Sequence, residues 1–406
     1  MSNAFWLTNV LLESGYQMKQ GLISSTKAER FNLLIKEGKI AKVQHADEAN
    51  PDNLPQKDAR GLLVLPSFTE KHCHLDKTLL GDRWRSVTPA NHIFERLEIE
   101  KNTLPSLETT TKERAEKLID IYLKNGVTHI RTHVDIYPEV GLSNLKEVQK
   151  ALHTFEGKLS YEIVAFPQHG FLRSNSLQLV REALQQGACI IGGVDPATVD
   201  GDIEASLQAM VDLAVAENAG IDLHLHDADH LGIYTIKRLA KLTKEAGLQG
   251  RVTISHAYCL GEIPREQVKS VAEQLADAGI TIVTSVPIDS NLPPVELLRS
   301  EDVPVAIGCD NIFDVWSPFG NGDILERAGR LAEISKWTDE RSLAQTLAYI
   351  TDGKTPLNSE GKQIWPQEGS DANLVFIEAT CSAEAIARKS KRIATMFQGK
   401  MVSGNL

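Results

Sequence analysis

The segment Glu70-Lys71-His72-Cys73-His74-Leu75-Asp76-Lys77 carries two histidines two residues apart. In an extended chain, residues i and i+2 point to the same side, so His72 and His74 can share one metal ion. Twelve histidines in 406 residues would give about 0.35 such pairs by chance, so the pair alone fits two strand-end histidines bound to backbone equally well. Other reactive side chains recur in a common setting, at the ends of short apolar runs. They are His224, His226 and Asp227 after Ile221-Asp222-Leu223, His256 after Ser255, and Asp310 with Asn311 after Cys309. Arg131-Thr132-His133-Val134-Asp135 and Phe166-Pro167-Gln168-His169 close two more runs. Hydrolysis at a metal centre needs such a set: ligands for a divalent ion, a proton carrier beside it, and donors for developing charge.

The elements that must position these residues follow from the apolar pattern. Candidate strands are Leu62–Phe68, Thr128–Val134, Tyr161–Phe166, Cys189–Val194, Gly220–Leu225, Arg251–Ser255, Thr281–Thr284 and Val303–Gly308. Amphipathic stretches lie between them, among them Lys112–Asn125, Asn144–Thr154, Leu177–Gln186, Ser206–Asn218 and Thr235–Ala246. Short apolar runs alternating with helices signal βαβ units whose strands are buried on both faces. Eight such units predict an α/β fold, a (β/α)8 TIM barrel, whose strand ends converge on one mouth. A doubly wound sheet is the rival, but no glycine-rich phosphate loop follows the first strand. Leu33-Leu34-Ile35 and Ile40-Ala41-Lys42-Val43 flank a glycine-containing turn, and Ala372–Ile377 and Gly399–Val402 also read as strands. The expected division is a small β-sandwich domain from residues 1–60 and 365–406, with the barrel spanning 61–364.

Composition narrows the class. With 42% hydrophobic and 24% charged residues the chain suits a folded globular protein, and a net charge of −11 offers no general attraction to nucleic acid or anionic membrane. The five cysteines are odd in number and show no paired spacing, which argues against a secreted disulfide framework. The opening Met1-Ser2-Asn3-Ala4-Phe5-Trp6 does not lead from basic residues into an apolar run, and no stretch reaches membrane-span length. A cytoplasmic protein is expected.

Several motifs resemble the amidohydrolase superfamily in its cytosine-deaminase-like branch. They are Arg131-Thr132-His133-Val134-Asp135, Val164-Ala165-Phe166-Pro167-Gln168, Asp310 to Trp316, and Pro318-Phe319-Gly320. Gly192-Gly193-Val194-Asp195-Pro196-Ala197-Thr198, Leu225-His226-Asp227, Ser255-His256-Ala257 and Phe319-Gly320-Asn321-Gly322-Asp323 are more closely similar to the N-isopropylammelide amidohydrolases of s-triazine breakdown. The resemblance covers nearly the whole chain. It implies one divalent ion, zinc or alternatively iron(II), held by His72, His74, His224 and Asp310. It also implies an aminohydrolase that uses a metal-activated water to remove ammonia or an amine from a cyclic amidine, such as an aminopyrimidine or aminotriazine. Binuclear relatives carry a lysine or glutamate on the fourth strand, and Cys189–Asp195 has neither.

Under the same resemblance His226 and Asp227 share the proton-carrier role, with Asp310 assisting, and His256 donates to the ring or the oxyanion. Lys77, Gln168, Asn311 and Trp316 contact the substrate, Gln168 by gripping the ring edge. His133 and Asp135 support the site without touching substrate. The stretch Leu79–Leu104 is expected to cover the mouth, bringing Trp84, Arg85 and Phe94 near the substrate. A small nitrogen heterocycle is thus the expected partner, without nucleic acid or membrane, and a homo-oligomer is compatible with an exposed barrel flank. Two other readings stand beside this one: a ring-opening cyclic amide hydrolase, and a catalytically silent barrel used for assembly.

Overall fold

The computed structural model describes residues 4–50 and 53–406. Eight parallel strands form the barrel sheet in sequence order. They run Phe68–Cys73, Val127–Asp135, Ser160–Phe166, Ile190–Val194, Gly220–Leu225, Val252–His256, Thr281–Thr284 and Val305–Ile307. Helices between them turn an apolar face inward. Thr111–Lys124, for example, buries Ala115, Leu118, Ile119, Tyr122 and Leu123. Its start is fixed by a reciprocal cap, in which Thr110 accepts from the Glu113 amide and Glu113 accepts from that of Thr110. Each fully buried Leu or Ile contributes about 1.5–3 kcal/mol, and one continuous cluster runs through strands and helices around the barrel.

Closure between the first and eighth strands is sparse. The Asp310 amide donates to the His72 carbonyl at 2.7 Å. Buried Glu70 accepts from the amides of His72 at 2.9 Å and Cys309 at 3.0 Å. The seam is also tight. A Cβ on Gly308 would stand 2.4 Å from Cβ of His72 and 2.6 Å from its amide nitrogen. Gly308→Ala is therefore expected to destabilise by about 1–3 kcal/mol and to displace His72. Thermal unfolding and bound-metal analysis test this, and an unperturbed protein with full metal content would refute it.

The first apolar run divides differently from the expected Leu62–Phe68 strand. Leu63–Pro66 joins the terminal sheet, pairing antiparallel with Leu374–Ile377, while the barrel strand begins at Phe68. Only Ser67 separates the two, so one apolar run serves two sheets. The terminal sheet takes Ala4–Lys19, Leu22–Lys36 and Lys39–His45 from one end of the chain, and Leu374–Ile377, Arg392–Phe397 and Lys400–Gly404 from the other. Its outer turns meet, with the Ala372 amide bonded to the Gly38 carbonyl at 2.8 Å and the Gly399 amide to that of Ala372 at 3.0 Å. The sheet thus folds over a second core that includes Leu7, Leu33, Ile40, Phe376 and Met396. No helix among the described residues is long and apolar enough to cross a membrane.

Candidate metal centre and active site

At the carboxyl ends of the barrel strands the dispersed histidines converge. Ligand-type atoms of His72, His74 and Asp310 all lie within 4.8 Å of one another, as do those of His72, His133 and His224. His72 Nε2 is 3.6 Å and His74 Nε2 3.3 Å from Asp310 Oδ1. Burial, reinforced by the crowding of neighbouring imidazoles, pushes the pKa of His72 and His224 well below the ordinary range, so both are neutral. Burial also penalises the Asp310 carboxylate, but the hydrogen bond with His74 and the nearby His256 and His72 outweigh it and hold the group ionised.

His72 Nε2 and both ring nitrogens of His224 are buried with no hydrogen-bond partner among the described residues. Leaving such an atom unpaired costs about 1–3 kcal/mol. Neutral imidazoles with bare nitrogens around an ionised carboxylate are the donor set a divalent cation takes, so these residues fit the ion. His133 was not expected this close. Its ring lies 4.0 Å from that of His72 and 4.6 Å from that of His224, and neither of its nitrogens has a partner. The fourth strand brings glycine instead of a ligand: a Cβ at Gly192 would sit 2.8 Å from the Phe166 backbone.

Backbone strain marks the same rim. Asp195, His256 and Asp310 adopt φ of 37°, 72° and 60°. The left-handed region costs a non-glycine residue about 1–2 kcal/mol, and such strain collects where surrounding structure fixes a functional side chain.

Beside this cluster, His226 exposes 37% of its side chain and stacks on His256 with centroids 4.4 Å apart. Asp195 fixes it from behind, accepting from His226 Nδ1 at 2.9 Å. Crowding at the rim strips some water from His226 and opposes its charge, but Asp195 prevails and raises its pKa. His256 behaves oppositely: burial, then the facing His226, lowers it to about 3, which keeps it neutral.

Asp227 is held by the neighbouring loop. Its carboxylate accepts from the amides of Ala197 at 3.0 Å and Thr198 at 3.1 Å, and from the Thr198 hydroxyl, so it ties down the loop after the fourth strand. The shorter aspartate reaches this loop, which takes three of its roughly four lone-pair sites.

Three residues expected to grip substrate instead meet a residue the sequence did not single out. Glu100, on helix Ile93–Thr103, is fully buried. It accepts from Gln168 Nε2 at 2.7 Å and Trp316 Nε1 at 2.5 Å, and lies 3.6 Å from Lys77 Nζ. Lys77, 1% exposed, also donates to Gln168 Oε1 and to Asp135 Oδ1 at 3.1 Å. Both ends of the Gln168 amide are thereby engaged with protein, leaving one N–H and one oxygen lone pair uncommitted. Asn311 is half-buried beside Asp310 and makes no side-chain hydrogen bond among the described residues. His169 stacks on Tyr137 at 4.0 Å. The strand-end rule points to Asp195, which follows Val194, whereas Glu100 sits in a helix whose pattern gives no such signal.

Helix Ile93–Thr103 of this segment borders the rim, where an open cleft of about 610 Å³ is lined by Ile93, Phe94, Asp195, His226, Asp227 and Trp316 among others. Trp84 is 73% exposed, so it faces away from the interior. A larger hollow of about 730 Å³ touches Ile190, Gly220, Thr253 and Val305, at the opposite end of the strands from the histidines.

Asp314 lies under the cover, accepting from the amides of Trp316 at 2.8 Å and Ser317 at 2.9 Å, with its second oxygen unpartnered. Burial raises its pKa to about 8. The native state thus keeps a proton that the unfolded chain, with an ordinary aspartate near 3.9, releases. Stability therefore falls as pH rises from roughly 4 to 8. Asp314→Asn is expected to match the parent near pH 4 and to exceed it by an increasing margin, on the order of 5 kcal/mol at most, near pH 9. Unfolding midpoints across that range test it, and a constant difference would contradict the burial argument.

A model of the amidohydrolase family matches residues 145–403, more than half of the chain. The chain belongs to the amidohydrolase family. This amidohydrolase is 40% identical over 406 residues to the YahJ protein of Escherichia coli (strain K12), covering 99% of this chain and 88% of that protein. It is 31% identical to N-isopropylammelide isopropyl amidohydrolase of Pseudomonas sp. (strain ADP), over 93% of this chain and 94% of the relative. The crystal structure of N-isopropylammelide isopropylaminohydrolase from Burkholderia multivorans ATCC 17616 superposes with a TM-score of 0.87 at 29% identity, covering 99% of this chain and 98% of that one. The amidohydrolase is accordingly a TIM-barrel hydrolase of carbon–nitrogen bonds with a candidate histidine and aspartate metal site.

Proposed function

We propose that this amidohydrolase removes ammonia or a small amine from a cyclic amidine, of the aminopyrimidine or aminotriazine class, and is zinc- or iron(II)-dependent. The observation that carries the reading is the meeting at His72 of two sets of ligand-type atoms, one with His74 and Asp310 and one with His133 and His224, with bare buried nitrogens, beside an open cleft lined by His226. His72, His74, His224 and Asp310 would hold the ion. Its chemistry when bound is to lower the pKa of a water from 15.7 to about 7.

The protein's own groups do the rest. His226, whose pKa Asp195 raises, can hold a proton at Nε2 and deliver it to the leaving nitrogen, which is too basic to depart as an anion. Neutral His256, stacked against it, is positioned to donate to charge developing on the ring. Helix Ile93–Thr103, anchored through Glu100, borders the cleft, and Phe94 and Trp316 give it flat apolar walls that suit a planar ring. The relatives described above, one named for an amidohydrolase and one for an aminohydrolase reaction on N-isopropylammelide, support this substrate class.

The test is a screen of zinc- or iron(II)-reconstituted protein against aminopyrimidines, alkylaminotriazines and cyclic amides, read by ammonia or amine release. Release from a ring amidine supports the proposal. Ring opening without amine release would replace it with a cyclic amide hydrolase.

A further inference from the structure

We propose that Asp222 acts through Ser255 as a positioning residue, fixing the ring proton of His72 on Nδ1 so that Nε2 is bare toward the metal. The argument rests on counting protons along a buried chain. Arg131 has only donors and no acceptor. Its Nη1 lies 3.0 Å from Asp222 Oδ2, so Asp222 must accept there. Glu162 and Thr253 hold the same guanidinium from its other sides, at 3.0 Å each. The second Asp222 oxygen, Oδ1, accepts from Ser255 Oγ at 2.7 Å. A serine hydroxyl has one proton, and this one is spent on the carboxylate. Toward His72 Nδ1, at 2.8 Å, Ser255 therefore offers only lone pairs. His72 must donate from Nδ1, and a neutral imidazole that carries its proton there has none on Nε2.

That same Nε2 has no protein partner and lies 3.6 Å from Asp310 Oδ1. Water has little access to disturb the order, because Asp222 and Ser255 are fully buried and His72 nearly so. His133, the other group facing Asp222, has its Nε2 3.8 Å from Oδ2, too far for a hydrogen bond. Donation therefore runs from Arg131 to Asp222 on one side, and from His72 through Ser255 to Asp222 on the other.

This inference rests on the reading that His72 is a metal ligand, and the experiment separates the two. Zinc affinity is measured on metal-free protein by competition with a chromophoric chelator, alongside the unfolding midpoint of the metal-free form. Asp222→Asn keeps the size of the side chain but reverses the chain. Arg131 demands the amide oxygen, the amide nitrogen then donates to Ser255, and Ser255 turns its hydroxyl hydrogen toward His72 Nδ1, which must accept. His72 is forced to protonate Nε2 and cannot ligate. Loss of a hydrogen-bonding partner behind a metal ligand typically costs 10–100-fold in affinity. We expect about 100-fold weaker zinc binding in Asp222→Asn and about tenfold in Ser255→Ala, where His72 is free to take either form.

A role in packing alone predicts the reverse ranking, because the amide is isosteric with the acid while alanine leaves a gap. Zinc binding in Asp222→Asn that equals the parent, or exceeds that of Ser255→Ala, overturns the proposal. Should Asp222→Asn fail to fold, Ser255→Ala decides alone: a loss near tenfold supports the relay and unchanged affinity overturns it. His72→Ala is the control. Parental zinc affinity in that variant removes the metal reading itself, whatever the relay does.

Discussion

His72→Ala is expected to take hydrolysis below detection and to lower bound metal in the same preparation. His72 belongs to both groups of convergent ligand atoms, and its Nε2 is buried without a protein partner. Acidifying a water by about 9 pKa units, at 1.36 kcal/mol each, corresponds to on the order of 12 kcal/mol. A tenfold rate loss accompanies every 1.36 kcal/mol of barrier, so forfeiting even half of that assistance removes measurable turnover. Elemental analysis reads the metal and amine release reads the rate. Full activity with a full complement of metal would be incompatible with the proposed centre.

The second large effect separates two adjacent residues. His226→Ala is expected to lower kcat by about 10²–10⁴, the usual worth of a positioned acid or base, while metal content stays at the parental level. His226 faces the cavity, and Asp195 holds its imidazole from behind. Asp227→Asn should leave kcat within a few-fold and instead lower the unfolding midpoint, because that carboxylate serves the Ala197 and Thr198 amides. Steady-state kinetics on both variants, with metal analysis, provide the test. A larger kcat loss in Asp227→Asn than in His226→Ala would return the proton-carrier role to the aspartate.

The contrast between these neighbours shows where reading a sequence stops. The barrel strands were legible because each is a short apolar run closed by turn residues, and seven of the expected runs end within a residue or two of the observed strands. The convergence of His72, His224 and Asp310 followed from the topology, since parallel strands deliver their carboxyl ends to one rim. What stayed hidden depends on partners distant in sequence. Gln168 and Trp316 carry the right chemistry for a ring, but Glu100 from helix Ile93–Thr103 takes the indole N–H and one of the two amide N–H groups. No local pattern in residues 93–103 reveals that one glutamate turns inward. Asp227 could only be resolved by seeing which loop passes within reach. The break at Ser67 was invisible for another reason: an unbroken apolar run reports burial on both sides without reporting which sheet supplies it.

That break constrains any attempt to treat the catalytic barrel as a transplantable module. Leu63–Pro66 is clamped against Leu374–Ile377, and five residues beyond Ser67 the same chain presents His72. Trimming the C-terminal strands would strip one edge from the segment that leads directly into the ligand-bearing strand, exposing an unpaired, wholly apolar run. The two ends of the polypeptide thus act as a brace for the reaction centre, and a minimal version of this hydrolase has to keep them.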